Sequence, residues 1–125
     1  MAKNELAAAY TAAWNTGRPE AVAAFLAAEG AITINDGIPW EGRDRVAQMA
    51  AGFYADIPDL NLVCDGLRTS GDHLVYLWTF TGTHAGTRKA VKVLGWEEWD
   101  VDAEGLIRLS RGWFDSEDYA RQTQS

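Results

Sequence analysis

The sequence predicts one α+β domain in which helices come first and antiparallel strands follow. Up to residue 54 the apolar side chains recur mostly at helical spacing, whereas from residue 60 onward they lie in runs of strand length. The chain has 125 residues, 47% of them hydrophobic and 23% charged, which suffices for a single core. We therefore expect residues 1–125 to form one domain, with helices packed against one face of a curved sheet.

Three helices are predicted in the first half of the chain. In the first, Tyr10 and Trp14 lie four residues apart on one face, and Gly17 provides a stop signal. Pro19 suits the first position of the second helix, and the third helix shows an amphipathic pattern. The predicted helices span residues 3–16, 19–29 and 44–54, with a short strand at 31–35 before the third.

The second half of the chain predicts four strands separated by turn-forming residues. They lie at residues 60–68, 72–83, 91–101 and 106–114. The run at 72–83 carries apolar side chains on both faces, which favours a central strand covered on two sides. A short polar tail is expected after residue 114.

Glu97 is the most informative residue of the predicted strand at 91–101. A strand alternates its side chains between two faces, so Glu97 points inward with Trp99, while Glu98 and Asp100 stay in solvent. Burial disfavours the charged form of a carboxyl group and raises its pKa. Glu97 is therefore expected to hold a proton near neutral pH, as a hydrogen-bond donor or general acid.

Two structural alternatives for Glu97 stay open at this point. The carboxyl could form a buried ion pair with an arginine such as Arg111, because structural ion pairs also perturb pKa values. A β-bulge at Gly95 could instead turn Glu97 outward.

Charge and cysteine content exclude several classes of function. Eighteen acidic and eleven basic residues give a net charge of −7, which repels nucleic acid and anionic membranes. Cys64 is the only cysteine, so no intrachain disulfide can form, and no Cys/His spacing predicts a metal site. No export signal or apolar run of spanning length is seen. We expect a cytoplasmic protein without metal or cofactor.

Several short motifs spread over nearly the whole chain suggest a family. They are Tyr10-Thr-Ala-Ala-Trp14-Asn15-Thr-Gly17, the strand 31–36, Trp40-Glu-Gly-Arg43, Gly82-Thr-His84-Ala-Gly86 and the segment 102–107. Together they resemble the nuclear transport factor 2-like superfamily, and within it the SnoaL-like polyketide cyclases and ketosteroid isomerases. The resemblance implies a cone-shaped curved antiparallel sheet, an α+β barrel, wrapped around the N-terminal helices and enclosing an apolar pocket. It also implies a homodimer formed through the outer face of the sheet.

The resemblance implies roles for four residues. Tyr10 lies four residues before Trp14-Asn15, as the isomerase tyrosine does before its own motif, and Glu97 lies eight residues before a turn glycine, where the isomerases have aspartate. These two would donate hydrogen bonds to an enolate oxygen. Asp36, which closes the first strand, resembles the isomerase base, and Asp115 resembles the cyclase aspartate.

Each of these residues also has a plain structural interpretation. Tyr10 could simply line the pocket. Asp36 begins an Asp-Gly turn, where aspartate serves backbone hydrogen bonding, and Asp115 could cap a terminal helical turn. The expected pocket wall comprises Trp14, Ile34, Phe53, Trp99 and Phe114.

Two functions are compatible with these residues. The first is a cofactor-independent isomerase or polyketide cyclase that transfers a proton next to the carbonyl of a small hydrophobic substrate. The second is a non-catalytic module of the same fold that binds a small molecule or a partner.

Overall fold

The computed structural model of the chain describes residues 2–124. Three helices and two strands lie in its first half, and strands dominate the second. The helices are α1 (Lys3–Trp14), α2 (Pro19–Ala23), α3 (Gly42–Asp56) and α4 (Ser116–Gln122). The strands are β1 (Leu26–Ile34), β2 (Trp40–Glu41), β3 (Asn61–Ser70), β4 (His73–Thr83), β5 (Ala90–Val101) and β6 (Ile107–Phe114).

The six strands form one curved sheet in the order β2-β1-β6-β5-β4-β3. The sheet does not close on itself, since β2 and β3 are its edges. The predicted α+β class is confirmed, and the four strands predicted in the second half are antiparallel neighbours. One pair differs from the all-antiparallel expectation, because β1 runs parallel to β6. A parallel pair needs a long crossover connection, and here the intervening chain provides α3 and four strands.

The predicted second helix is wrong at its C-terminal end. Helix α2 ends at Ala23, and the chain from Leu26 onward belongs to β1. Leu26 is entirely buried and pairs with Ile107 of β6. Burial and strand pairing therefore outweigh the helix propensity of this alanine-rich segment.

The chain after residue 114 is likewise more ordered than the predicted polar tail. It forms α4, whose Tyr119 ring lies edge-on to Phe80 and Phe114 on the inner side of the sheet. Aromatic contact with the sheet therefore holds the C-terminal helix in place.

The core lies between the helices and the inner face of the sheet. Tyr10 of α1 is entirely buried and meets the rings of Phe25, Tyr76 and Trp99 edge-on, with centroid distances of 4.9–5.9 Å. Asn15 ties the end of α1 to β3 through two hydrogen bonds with the backbone of Leu62. Helix α1 is thus held across the sheet.

Strand β4 is covered on one face. Its inner side chains are buried: Leu74, Tyr76, Trp78 and Phe80. On its other face Val75 and Leu77 are only half-buried in the single chain.

None of the helices described within residues 2–124 has the length and apolar character that crossing a membrane requires.

Candidate functional site

A small, almost wholly apolar cavity lies between α1, α3 and the inner face of the sheet. The volume of the cavity is about 60 Å³, room for a few ordered waters or a small molecule of similar size. The wall is formed by Tyr10, Trp14, Ile32, Ile34, Met49, Phe53, Leu60, Leu62, Trp78, Phe80, Glu97, Gly112 and Phe114. Four of the five residues predicted for the wall lie in it, whereas Trp99 is buried outside it.

Glu97 brings the only carboxyl group among the described wall residues. The β4–β5 register is continuous through Gly95, so no bulge turns Glu97 outward. Arg111 lies opposite Glu98 in the β5–β6 ladder and not opposite Glu97. Both structural alternatives for Glu97 are therefore wrong. Side chains alternate between the two faces of β5 as the sequence predicts, and this alternation places the Glu97 carboxyl at the cavity.

Three buried side chains donate hydrogen bonds to one oxygen of Glu97. Oε1 accepts from the Ser110 hydroxyl at 2.9 Å, the Tyr10 hydroxyl at 3.0 Å and the indole N–H of Trp99 at 3.1 Å. All three donors are entirely buried. Oε2 lies within reach of the Tyr10 hydroxyl alone, at 3.2 Å. The free hydrogen-bonding capacity of the carboxyl group is therefore on Oε2.

Burial raises the pKa of Glu97 above its ordinary value, although the hydrogen bonds from Trp99, Ser110 and Tyr10 lower it. Burial has the larger effect, so Glu97 holds its proton to a higher pH than a solvated glutamate. Trp99 can only donate, and it donates to Oε1. The proton therefore belongs on Oε2.

Tyr10 serves Glu97 rather than a ligand. Its hydroxyl donates to the carboxyl group, and burial together with the charge of Glu97 raises the pKa of Tyr10 well above its ordinary value. A hydroxyl that already donates its one hydrogen has none left for a second acceptor. Tyr10 and Glu97 lie together as predicted, but they form one donor group and not two.

Asp36 lies outside the cavity. It is exposed in the turn after β1, with a φ of +56°, and its neighbour Asn35 has a φ of +51°. Aspartate and asparagine tolerate this left-handed region better than most residues. The turn is closed by a hydrogen bond from the Gly37 N–H to the Ile34 carbonyl at 2.9 Å. Asp36 therefore has the turn role that the sequence also allowed.

Asp115 also lies outside the cavity wall. It is exposed and caps α4, where its side chain accepts a hydrogen bond from the Asp118 backbone N–H at 3.0 Å. This is the capping role that the sequence also allows for Asp115. Neither predicted base is therefore placed next to Glu97.

Ser110 is the site residue that sequence reasoning missed. It is entirely buried and pairs with Trp99 in the β5–β6 ladder. The sequence pattern could have identified Ser110, since Ser110, Gly112 and Phe114 alternate along β6 and put two small residues beside the predicted cavity.

Within residues 2–124, no group of three or more His, Cys, Asp or Glu side chains could hold a metal ion.

Comparisons with known proteins agree with this architecture. A family model described as SnoaL-like domain matches residues 7–109. Among curated proteins, none matches the chain.

Solved structures share the fold at low sequence identity. A protein from Catenulispora acidiphila with a ketosteroid isomerase-like fold, in complex with trimethylamine, has a TM-score of 0.88 and 20% identity, over 98% of this chain and 94% of that one. An NTF2-like protein of unknown function from Burkholderia pseudomallei has a TM-score of 0.87 and 20% identity, with both chains fully covered. A proposed SnoaL-like polyketide cyclase from Jannaschia sp. CCS1 has a TM-score of 0.80 and 14% identity, over 94% of this chain and 91% of that one. At these identities the likeness shows the fold alone.

Proposed function

The chain belongs to the SnoaL-like domain family, and from that premise we propose that its cavity binds a small, uncharged, hydrophobic molecule whose oxygen accepts a hydrogen bond from protonated Glu97. The observation that carries this proposal is the placement of one carboxyl, with its pKa raised by burial, on an otherwise apolar wall. Apolar walls with a few polar groups are typical of small-molecule sites. The hydrogen bond would fix the orientation of the ligand.

A second candidate function is proton transfer next to a carbonyl, as in an isomerase or cyclase. Neighbours of the same fold named as polyketide cyclases favour it. Since Asp36 and Asp115 lie outside the cavity wall, Glu97 would act alone: its ionised form would take a proton from the carbon next to the carbonyl and return it to another atom of the enolate. The raised pKa of Glu97 suits such a base.

The Catenulispora neighbour suggests a competing ligand class, an alkylammonium ion. Aromatic walls such as those of Trp14 and Phe53 can bind alkylammonium ions through cation–π contacts. A cation would require Glu97 to be ionised, however, and burial opposes ionisation. The neutral ligand is therefore the one that this site favours.

Methyl propyl ketone is a suitable probe, because it is small and has one acceptor oxygen. Its affinity is measured by nuclear magnetic resonance titration at several pH values from about pH 5 to about pH 8.5, a range that spans plausible pKa values for a buried carboxyl. Wild-type affinity should fall as the pH rises through the raised pKa of Glu97, since the ionised carboxylate no longer donates.

Glu97→Gln should bind the ketone with no pH dependence above about pH 6, because the amide keeps a donor and does not titrate. The matched control is Glu98→Gln, the same change on the outer face of the same strand, which should behave as the wild type. A pH dependence that persists in Glu97→Gln would contradict the proposal. Turnover of an enolisable ketone, followed as exchange of its α-hydrogens with deuterated water, distinguishes catalysis from binding.

A further inference from the structure

Gly112 is the one residue of the described cavity wall that has no side chain, and it lies beside Glu97. It is buried on β6, where it pairs with Glu97 across the β5–β6 ladder. A glycine weakens a strand because it has no side chain to pack, and it often marks a place where a ligand comes close to the backbone. The wall is therefore bare next to the carboxyl group.

A side chain at position 112 would have room. A β-carbon there would lie 3.4 Å from Cγ of Glu97, 3.7 Å from the Trp96 carbonyl oxygen and 4.0 Å from the Thr33 carbonyl oxygen. Apart from its own neighbours along the chain, no other described atom would lie closer. The gap beside Glu97 thus belongs to the cavity and is not filled by a neighbouring side chain.

Two other glycines on the inner face of the sheet have a different reason. At Gly95 a β-carbon would lie 2.5 Å from the Trp113 carbonyl oxygen and 2.5 Å from the Trp78 ring, and at Gly82 it would collide with Ile57. Close packing leaves no space for a side chain at these two positions. No such contact excludes a side chain at Gly112, so the space there is left for something else.

The gap at Gly112 is about one carbon group wide. Ser110 and Phe114 flank it on the same face of β6, each two residues away, or about 7 Å along the strand. The Ser110 hydroxyl donates to Oε1 of Glu97, and the Phe114 ring belongs to the wall. Between these two side chains a methyl group can lie on the backbone of Gly112.

An aromatic part of the wall continues the cavity away from Glu97. Phe114 stands opposite Gly95 on β5, and Phe80 stands opposite Val93, so the two rings lie progressively farther from the carboxyl group. The Phe53 ring of α3 meets both of them, with centroid distances of 6.3 and 6.4 Å. A longer apolar group fits this end of the cavity better than the gap at Gly112.

We propose that Gly112 makes the site selective for methyl ketones. The ligand oxygen accepts a hydrogen bond from Oε2 of Glu97, the methyl group lies on the backbone of Gly112, and the longer apolar group extends toward Phe114. This inference rests on the proposed function, because it assumes that Glu97 contacts the ligand. It adds the substrate class and the residue that selects it.

Methyl propyl ketone and diethyl ketone provide the test, because they are isomers that differ only in the position of the carbonyl group. The wild type should bind methyl propyl ketone about fivefold more tightly, since diethyl ketone forces an extra carbon into the gap at Gly112. Intermolecular nuclear Overhauser effects locate the bound ligand. The methyl group next to the carbonyl should lie near the α-hydrogens of Gly112, and the far end of the propyl chain should not.

Gly112→Ala fills the gap without a clash, so the fold should tolerate it. The variant should lose about fivefold in affinity for methyl propyl ketone and keep its affinity for butyraldehyde, which has a hydrogen atom in place of the methyl group. Gly52→Ala is the matched control, the same change at an exposed position of α3 with open space around it. It should keep both affinities.

The outcomes separate this inference from the proposed function. Equal affinities for the two isomers, equal losses of ketone and aldehyde in Gly112→Ala, or an Overhauser contact between Gly112 and the end of the propyl chain would overturn the inference. A pH dependence that Glu97→Gln abolishes would then leave ligand binding at Glu97 standing. No binding of either ketone, or a pH dependence that survives in Glu97→Gln, would overturn both.

Discussion

The Ser110 hydroxyl lies 2.9 Å from Oε1 of Glu97 and joins β6 to the carboxyl group on β5. Ser110 is the one polar residue that is fully buried among residues 2–124. Its hydrogen bond favours the ionised form of Glu97 and partly offsets the effect of burial on the pKa. The acidity of the site is therefore set by a balance between burial and a few donors.

Removing one donor should shift that balance. Ser110→Ala is expected to raise the pKa of Glu97 further, because the carboxylate loses a hydrogen bond while its burial is unchanged. The measurement is a carbon-13 titration of the Glu97 carboxyl signal. Ser70→Ala, at the exposed end of β3, should leave the signal unaltered. A lowered Glu97 pKa in Ser110→Ala would show that the hydroxyl does not donate to the carboxylate.

Tyr10→Phe should destabilise the protein by about 1 kcal/mol and raise the Glu97 pKa, since the lost hydroxyl donates to the carboxyl group. Tyr54→Phe is a matched control, because the Tyr54 hydroxyl donates to the backbone carbonyl of Trp14 at 2.7 Å and not to Glu97. It should cost a similar free energy of unfolding without moving the Glu97 pKa. Urea unfolding and the carboxyl titration check the two effects separately, and equal pKa shifts in both variants would refute this role for Tyr10.

Glu97 should also make the stability of the protein depend on pH. Between the unfolded pKa of glutamate, about 4.3, and the raised folded value, the folded state binds more protons than the unfolded state. The free energy of unfolding that Glu97 contributes is therefore fully present at low pH and is lost as the pH rises through its folded pKa. Each unit of elevation is worth about 1.4 kcal/mol.

Glu97→Gln should remove this dependence, because the amide keeps the hydrogen bonds and does not titrate. The variant should gain stability relative to the wild type as urea unfolding moves from about pH 4 to about pH 8. Glu29→Gln, at an exposed residue of β1, should show no such gain. A constant stability difference between Glu97→Gln and the wild type across this range would argue against a raised pKa.

Asp115→Ala should weaken α4 by about 1 kcal/mol, the usual value of an N-cap, without altering ketone affinity. Asp36→Asn should change neither the stability of the protein nor its affinity for the ketone, since asparagine tolerates the left-handed turn equally well. Thermal unfolding and ligand titration measure the two properties. Loss of ketone-dependent proton exchange in either variant would restore that aspartate as a candidate base.

We also propose that a second copy of the chain covers the outer face of the sheet, as the family resemblance implies. That face exposes Leu94 (62%) and Trp96 (40%), whose ring stacks on Trp113. Exposed apolar clusters of this kind mark interaction surfaces. Leu94→Glu should convert a dimer into a monomer in sedimentation experiments, whereas Ile38→Glu, at an exposed apolar residue in the turn after β1, should not. A monomeric wild type would refute the dimer.

Local patterns predicted most of the framework because they act over a few neighbouring residues. Alternation along β5 placed Glu97 inward, and four-residue spacing placed Tyr10 and Trp14 on one face of α1. The same reasoning failed at Leu26, where local propensity favoured a helix and pairing with Ile107 produced a strand. That partner lies 81 positions away along the chain, beyond the range of any local pattern.

The sequence by itself determined the α+β class, the inward carboxyl and the aromatic residues around it, since each follows from periodicity within one element. Only the tertiary structure decided how the groups are used: Tyr10 and Ser110 donate to Glu97, whereas Asp36 and Asp115 face solvent. The physical reason is that a hydrogen bond depends on distances of a few tenths of an ångström between elements, and packing alone sets those distances.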